Sequence, residues 1–381
     1  MHRPALALAA LSVLFAPIAR AADLPAQAGS PDAALAYWTP ERFKAARPRP
    51  MPQPLRANVV TGDASATAAS GGLSQAAAGH APAPGLKPIH EPLFDARTPA
   101  LRPAAETEPV TPSPQDVGSA KAPYSTRTAD SSGAGDIEQY YPWSTVGKLY
   151  YSHGGQNWIC SAAVIKPRIV VTAGHCLHEG DGSQGGWHSN VVFVPAYDGS
   201  NSFVTAPWGR WSAALFWVSP AWFNGGGGVP NKADLGVIEL QDRALSPFGS
   251  AQRIGDVTGW LGYRTLGLTN NHTTKLGYPS NFAGGEKMIE SASGWHNAAF
   301  PNNAEYGGDL GGGASGGPWI ENFAVTTPAE GGALAGGANQ LVGITSYKSV
   351  DGARRINGAS ILDSSFTALL NTACKHKARN C

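Results

Sequence analysis

Apolar and polar positions divide this chain into two unlike parts. From Tyr140-Tyr141-Pro142-Trp143 onward, short runs rich in β-branched and aromatic residues recur between Gly and Asn turns: 145–151, 162–165, 168–172, 190–194 and 340–346. Short strands with many turns predict an all-β sandwich or barrel. One stretch has helical spacing instead: Phe366, Leu369, Leu370 and Ala373 share a face, predicting a helix over Ser364 to Ala373. Residues 22–135 lack this patterning. They are rich in Ala, Pro, Ser and Thr, and Trp38 is their sole tryptophan. So little apolar surface does not offset the entropy of ordering, which predicts a largely disordered pro-region or linker. Leu35-Ala36-Tyr37-Trp38 with Arg42 to Ala46 reads as a short frayed helix or a patch that docks transiently.

At the start, Met1-His2-Arg3, an apolar run from Ala5 to Ile18 and the small-residue site Ala19-Arg20-Ala21 have the three parts of a secretory signal peptide. The run is shorter than the about 20 residues a membrane span takes. The expected division is a signal peptide (1–21), the pro-region or linker (22–135) and a folded domain (136–381), exported to the periplasm or beyond without a membrane anchor.

A length of 381 residues allows two or three domain-sized units, and the folded part is long enough for two small barrels in tandem. The formal net charge is +1 and 14% of residues are charged, so nothing points to nucleic acid or an anionic membrane as partner. The four cysteines fit an oxidising compartment and could pair in three ways; proximity favours Cys160 with Cys176 and Cys374 with Cys381.

Chemistry enters at Gly311-Gly312-Gly313-Ala314-Ser315-Gly316-Gly317-Pro318-Trp319, a serine on a turn almost without side chains. A hydroxyl needs a base in reach and donors for the negative charge that develops on an attacked carbonyl. Glycines let successive amides point into one concavity, here those of Gly313 and Ser315. Ile169 to Cys176 reads as a buried strand ending in a turn that carries His175, and Asp234 stands at the entrance to the apolar strand beginning Leu235-Gly236-Val237. Such an acid can fix the tautomer of an imidazole base. His178 suggests a metal pair with His175, but no third ligand at helical spacing and no HExxH accompany it, so neither a metal nor another cofactor is expected.

The chain order His175, Asp234, Ser315 differs from that of the α/β-hydrolases and subtilisins. With Thr172-Ala173-Gly174-His175-Cys176, Asp234-Leu235-Gly236-Val237, Gly277-Tyr278-Pro279 and Ser315-Gly316-Gly317-Pro318, the chain resembles the chymotrypsin-like serine peptidases, most closely their bacterial V8-like, glutamyl-endopeptidase-related branch. The resemblance covers roughly residues 140–370. It implies two six-stranded β-barrels, one over about 140–245 and one over about 250–365, followed by the C-terminal helix and tail. It also implies an active site between them: His175 and Asp234 from the first, Ser315 from the second, and the Gly313 and Ser315 amides as oxyanion hole. The implied activity is that of a secreted endopeptidase working through an acyl-enzyme, with protein or peptide substrates and its own pro-region as partners. Ala314 stands where trypsin-type enzymes carry the aspartate that pairs with a freed N-terminus, so zymogen control must work another way, for instance by the Pro-rich segment covering the cleft. Maturation is expected between Lys121 and Glu138, at Arg127 or Glu138. By position, Asp309 would select basic residues and Lys348 acidic ones, with Thr345 and Ser346 on the strand lining the same pocket. The alternative is a non-catalytic peptide- or surface-binding protein of the same fold.

Overall fold

Six strands close on themselves between residues 146 and 240: β1 (Val146–His153), β2 (Gln156–Val164), β3 (Ile169–Thr172), β4 (Ser189–Pro195), β5 (Trp211–Val218) and β6 (Gly236–Leu240). All pairings are antiparallel, in the order β5-β6-β3-β2-β1-β4, and β4 returns to β5 to complete the barrel. The computed structural model describes residues 24–27, 30–54, 74–97, 122–129, 136–199, 203–300, 303–325, 337–349 and 354–381. The signal peptide expected over 1–21 lies outside the described residues.

The remaining main strands are β7 (Gly262–Arg264), β8 (His272–Gly277), β9 (Ile289–Phe300), β10 (Asn303–Gly307), β11 (Pro318–Glu321), β12 (Gln340–Lys348) and β13 (Ile356–Ile361). Six of them form a second antiparallel ring, β11-β8-β9-β10-β13-β12, closed by β11 against β12, with β7 running parallel to β12. The fold is thus mostly β, as the short runs predict.

The helix expected from Ser364 runs Ser364–His376 and packs back on the first barrel, against β5 and β6. Asp363 starts it by accepting from the amides of Ser365 and Phe366 at 2.8 and 3.2 Å, and Phe366, Leu369, Leu370 and Ala373 form its buried face. All five residues of β6 are buried, Glu239 included. Its carboxylate pairs with His376 Nδ1 at 2.7 Å and accepts from Asn380 Nδ2 at 2.8 Å, which meets the requirement that a buried charge be paired. Both cysteine pairs are bridged, Cys160 to Cys176 and Cys374 to Cys381.

Among the described residues of 22–135 the structure departs from the expected disorder. Leu24–Gln27 adds antiparallel to β5, Ala76–Ala77 to β7 and Tyr124–Thr128 to β9, while Glu91–Asp95 pairs with Phe203–Ala206. Two short helices, Pro31–Tyr37 and Pro40–Ala45, bring Trp38 and Phe43 onto Tyr150 of β1, with ring centroids 5.3 and 4.9 Å apart. Trp38 Nε1 donates to the Asn190 carbonyl at 2.6 Å, so a buried indole keeps a partner. A segment too poor in apolar residues to build a core can still order on a core built elsewhere, because a few aromatic rings supply a large buried area. The expected maturation points also fall on ordered backbone. Arg127 lies within the strand on β9 and is ion-paired with Glu290 at 2.7 Å, and Glu138 is buried in a short 3-10 turn.

Candidate active site

β3 ends at Thr172, and a single 3-10 turn, Gly174–Cys176, then presents His175; the bridge to Cys160 ties this turn to β2. Asp234 precedes β6, the neighbour of β3, so two adjacent strands deliver imidazole and carboxylate to one end of the first barrel. Asp234 Oδ1 accepts from the His175 amide at 2.8 Å, and Oδ2 lies 2.9 Å from His175 Nδ1. Facing an acceptor, Nδ1 carries the proton, which leaves Nε2 with a free lone pair. Asp234 is fully buried and takes a third bond, from Ser346 Oγ at 2.6 Å. Ser346 sits on β12, so this bond joins the two barrels. Ser346, expected on the strand lining the substrate pocket, bonds the Asp234 carboxylate through its hydroxyl.

Ser315 stands on the loop entering β11. Ser161 of β2 clamps this loop, its amide donating to Ser315 O at 2.7 Å and its hydroxyl to Gly313 O at 2.8 Å while accepting from the Tyr278 amide at 3.0 Å. Gly316 has φ +80°, and a Cβ there would overlap Thr172 Oγ1 and Ser161 O, so the turn seats directly on the end of β3. Gly313 is also left-handed, at φ +92°. His175 Nε2 and Ser315 Oγ are both buried side-chain atoms without a hydrogen-bond partner among the described residues. The loop of Ser315 seats against Thr172 and Ala173, the residues that lead into the turn of His175, and a buried polar atom left without a partner is a place where a substrate atom can bond.

His178 is not part of this group. Its Nε2 meets Ser183 O at 2.9 Å and its Nδ1 accepts from the Gly180 amide at 2.8 Å, so both ring nitrogens serve the loop. Cys160, His175 and Cys176 lie close together, but the sulfurs are joined to each other and Nδ1 is committed to Asp234.

The pocket assignments fare differently. Asp309 carboxylate oxygens are taken by Tyr124 OH at 3.1 Å and Thr126 Oγ1 at 3.4 Å, both from the strand added to β9, and burial raises its pKa. Burial also pushes Lys275 down to about 7, while the charge of Asp309 acts against that shift. Thr345 Oγ1 accepts from the Trp319 indole at 2.8 Å. Lys348 offers its backbone amide to Pro52 O at 3.3 Å.

That last contact belongs to a Pro-rich stretch, part of the segment expected to cover the cleft. Residues 47–52 lie across the site. Arg47 and Pro48 pair in parallel with Trp158 and Ile159 of β2. The Arg49 amide donates to Ile159 O at 2.8 Å, and the Arg49 carbonyl accepts from the Gly313 amide at 3.0 Å. Met51 is buried beside Ile289, Leu310 and Ala314, its sulfur 3.8 Å from Asn357 Nδ2. The signal in the sequence was present but unread: Pro48, Pro50 and Pro52 alternate with Arg49 and Met51, the pattern of a pre-extended strand that displays every second side chain.

The Trypsin family profile matches residues 134–212. The chain is 27% identical over 234 residues to a glutamyl endopeptidase of Bacillus licheniformis, covering 60% of this chain and 66% of that protein. It is 29% identical over 136 residues to an extracellular metalloprotease of Bacillus subtilis, covering 36% of each. The chain thus spans less than two thirds of the length of either curated relative. Among solved structures, a thermostable serine protease, AL20, from an extremophilic microorganism superposes with a TM-score of 0.50 at 22% identity, over 61% of this chain and 98% of that one, which supports the shared fold.

Proposed function

We propose that this chain, which resembles the chymotrypsin-like serine peptidases and their V8-like branch, is a secreted serine endopeptidase held inactive by its own residues 47–52. What supports the reading is the bonding of His175 to Asp234, the clamping of the Ser315 loop by Ser161, and the Gly313 amide that meets a carbonyl from residues 47–52. His175 Nε2 takes the Ser315 proton as Oγ attacks the substrate carbonyl. Asp234 stabilises the resulting imidazolium, and the Gly313 and Ser315 amides receive the oxyanion. The imidazolium then returns the proton to the leaving amine, and water repeats the sequence on the acyl-enzyme.

The Arg49 carbonyl occupies the Gly313 amide and Met51 fills the adjoining pocket, so a substrate has to displace both. Because three prolines pre-set the segment, it binds with little further loss of chain entropy. The pocket around Met51 is lined by Leu310, Ile289 and Ala314 with the Asn357 amide. It suits an apolar side chain of Met or Leu size.

Met51→Asp in the full chain is expected to raise casein hydrolysis by about tenfold or more, since a buried unpaired carboxylate costs several kcal/mol and drives the segment off. Adding Ser315→Ala should return the rate to background. A Met51→Asp protein no more active than wild type would remove the inhibitory role. Hydrolysis that survives Ser315→Ala would remove the proposed chemistry.

A further inference from the structure

Arg49 marks more than the oxyanion amide. Its guanidinium reaches a recess on the first barrel, where Nη2 lies 2.9 and 2.8 Å from the two oxygens of Glu179, with the guanidinium carbon 5.5 Å from the Trp158 ring centroid. The recess is built without the segment. His188 Nε2 meets Glu179 Oε1 at 3.0 Å, His188 stacks on Tyr151 with ring centroids 4.4 Å apart, and His153 Nε2 lies 3.5 Å from the same oxygen. Glu179, Trp158, Tyr151, His153 and His188 all belong to the first barrel and its loops, so the arrangement persists when residues 47–52 leave.

We propose that this recess is a subsite for a basic side chain of a bound peptide, with Glu179 as its specificity-determining residue. The proposal rests on the serine-peptidase reading and names one preference of that site. Arg49 places its carbonyl on the Gly313 amide while its side chain ends at Glu179. The carboxylate therefore lies one arginine length from the place where a scissile carbonyl would be held. A basic residue at or next to that position reaches it by the same span. Burial raises the Glu179 pKa, but the bonds from His188 and, while it is bound, from Arg49 outweigh this and hold it at about 2; burial pushes His188 down to about 4, so the ring is neutral at pH 7. The recess then presents one negative charge beside an aromatic face. That combination receives a guanidinium through charge-assisted bonds and cation–π contact.

The test uses the full chain carrying Arg49→Ala and Met51→Asp, which empties the cleft. Two nonapeptides copy residues 46–54, one with arginine and one with neutral, near-isosteric citrulline at the position of Arg49. Each is scored for protecting Ser315 from a serine-directed phosphonate. The arginine peptide is expected to protect at concentrations roughly tenfold lower, the size of one charge-assisted pair, and Glu179→Gln should bring the two peptides together. The citrulline comparison is made on an unaltered recess, so it stands even if Glu179→Gln folds poorly. If Ser315 is labelled but the peptides protect equally or not at all, or if their difference survives Glu179→Gln, the subsite is overturned and the peptidase reading stands. No labelling of Ser315 in this protein would overturn the peptidase reading, and the subsite with it.

Discussion

Asp234→Asn is expected to lower kcat about ten-thousandfold with little change in KM, a loss of roughly 5 kcal/mol of transition-state stabilisation. The side chain keeps its shape but offers one acceptor oxygen where Asp234 offers two. If that oxygen stays on the His175 amide, an NH2 group faces Nδ1 and the Ser346 hydroxyl, both of which now donate to the carboxylate. The imidazole must then accept at Nδ1, its proton moves to Nε2, and the nitrogen that should take the Ser315 proton no longer has a free lone pair. Substrate contacts are unaffected, which is why the loss belongs in kcat. Steady-state kinetics of the Met51→Asp protein with and without Asp234→Asn checks this. A loss confined to KM, or one below about tenfold, would mean that Asp234 does no more than brace the loop.

Gly313→Ala should cost about a hundred- to a thousandfold in kcat, the usual effect of one oxyanion donor. Gly313 has φ +92°, which side chains rarely adopt, and a Cβ would lie 2.5 Å from Tyr278 O and 3.3 Å from Pro48 Cβ. Tyr278 is held by Ser161 and by its own hydroxyl on Tyr197 O, so the glycine loop is the part that must give, turning the amide away. The same amide anchors the Arg49 carbonyl, so in the full chain the hold on residues 47–52 loosens while turnover falls. Opposite movements of access and rate separate this variant from simple unfolding, which would lower both. Unchanged kcat would place the oxyanion elsewhere.

The three residues proposed to react stand out because each sits in a short local motif whose residues also build the local backbone: small residues after β3, an acid before β6, glycines around Ser315. The mostly β fold was legible from strand length and turn spacing, and the C-terminal helix from one apolar face. What failed was long-range. Trp38 bonds to Asn190, 152 residues away, and average composition over 22–135 hides two rings that dock residues 31–45 on the first barrel. Counting along the chain located Asp309 and Ser346 but not the direction of their side chains: Tyr124 and Thr126 claim one, and Asp234 claims the other. Arg49 and Met51 were invisible as site residues because their partners, Gly313, Glu179 and Leu310, come from distant parts of the sequence.

The central claim is that His175 makes the Ser315 hydroxyl a nucleophile. The most direct measurement is peptide mapping by mass spectrometry of the Met51→Asp protein after exposure to a serine-directed phosphonate, beside the same protein carrying His175→Ala. The account predicts one adduct, on Ser315, that forms at least about a hundredfold more slowly without the imidazole. An adduct on another residue, or equal labelling of Ser315 in both proteins, would contradict it.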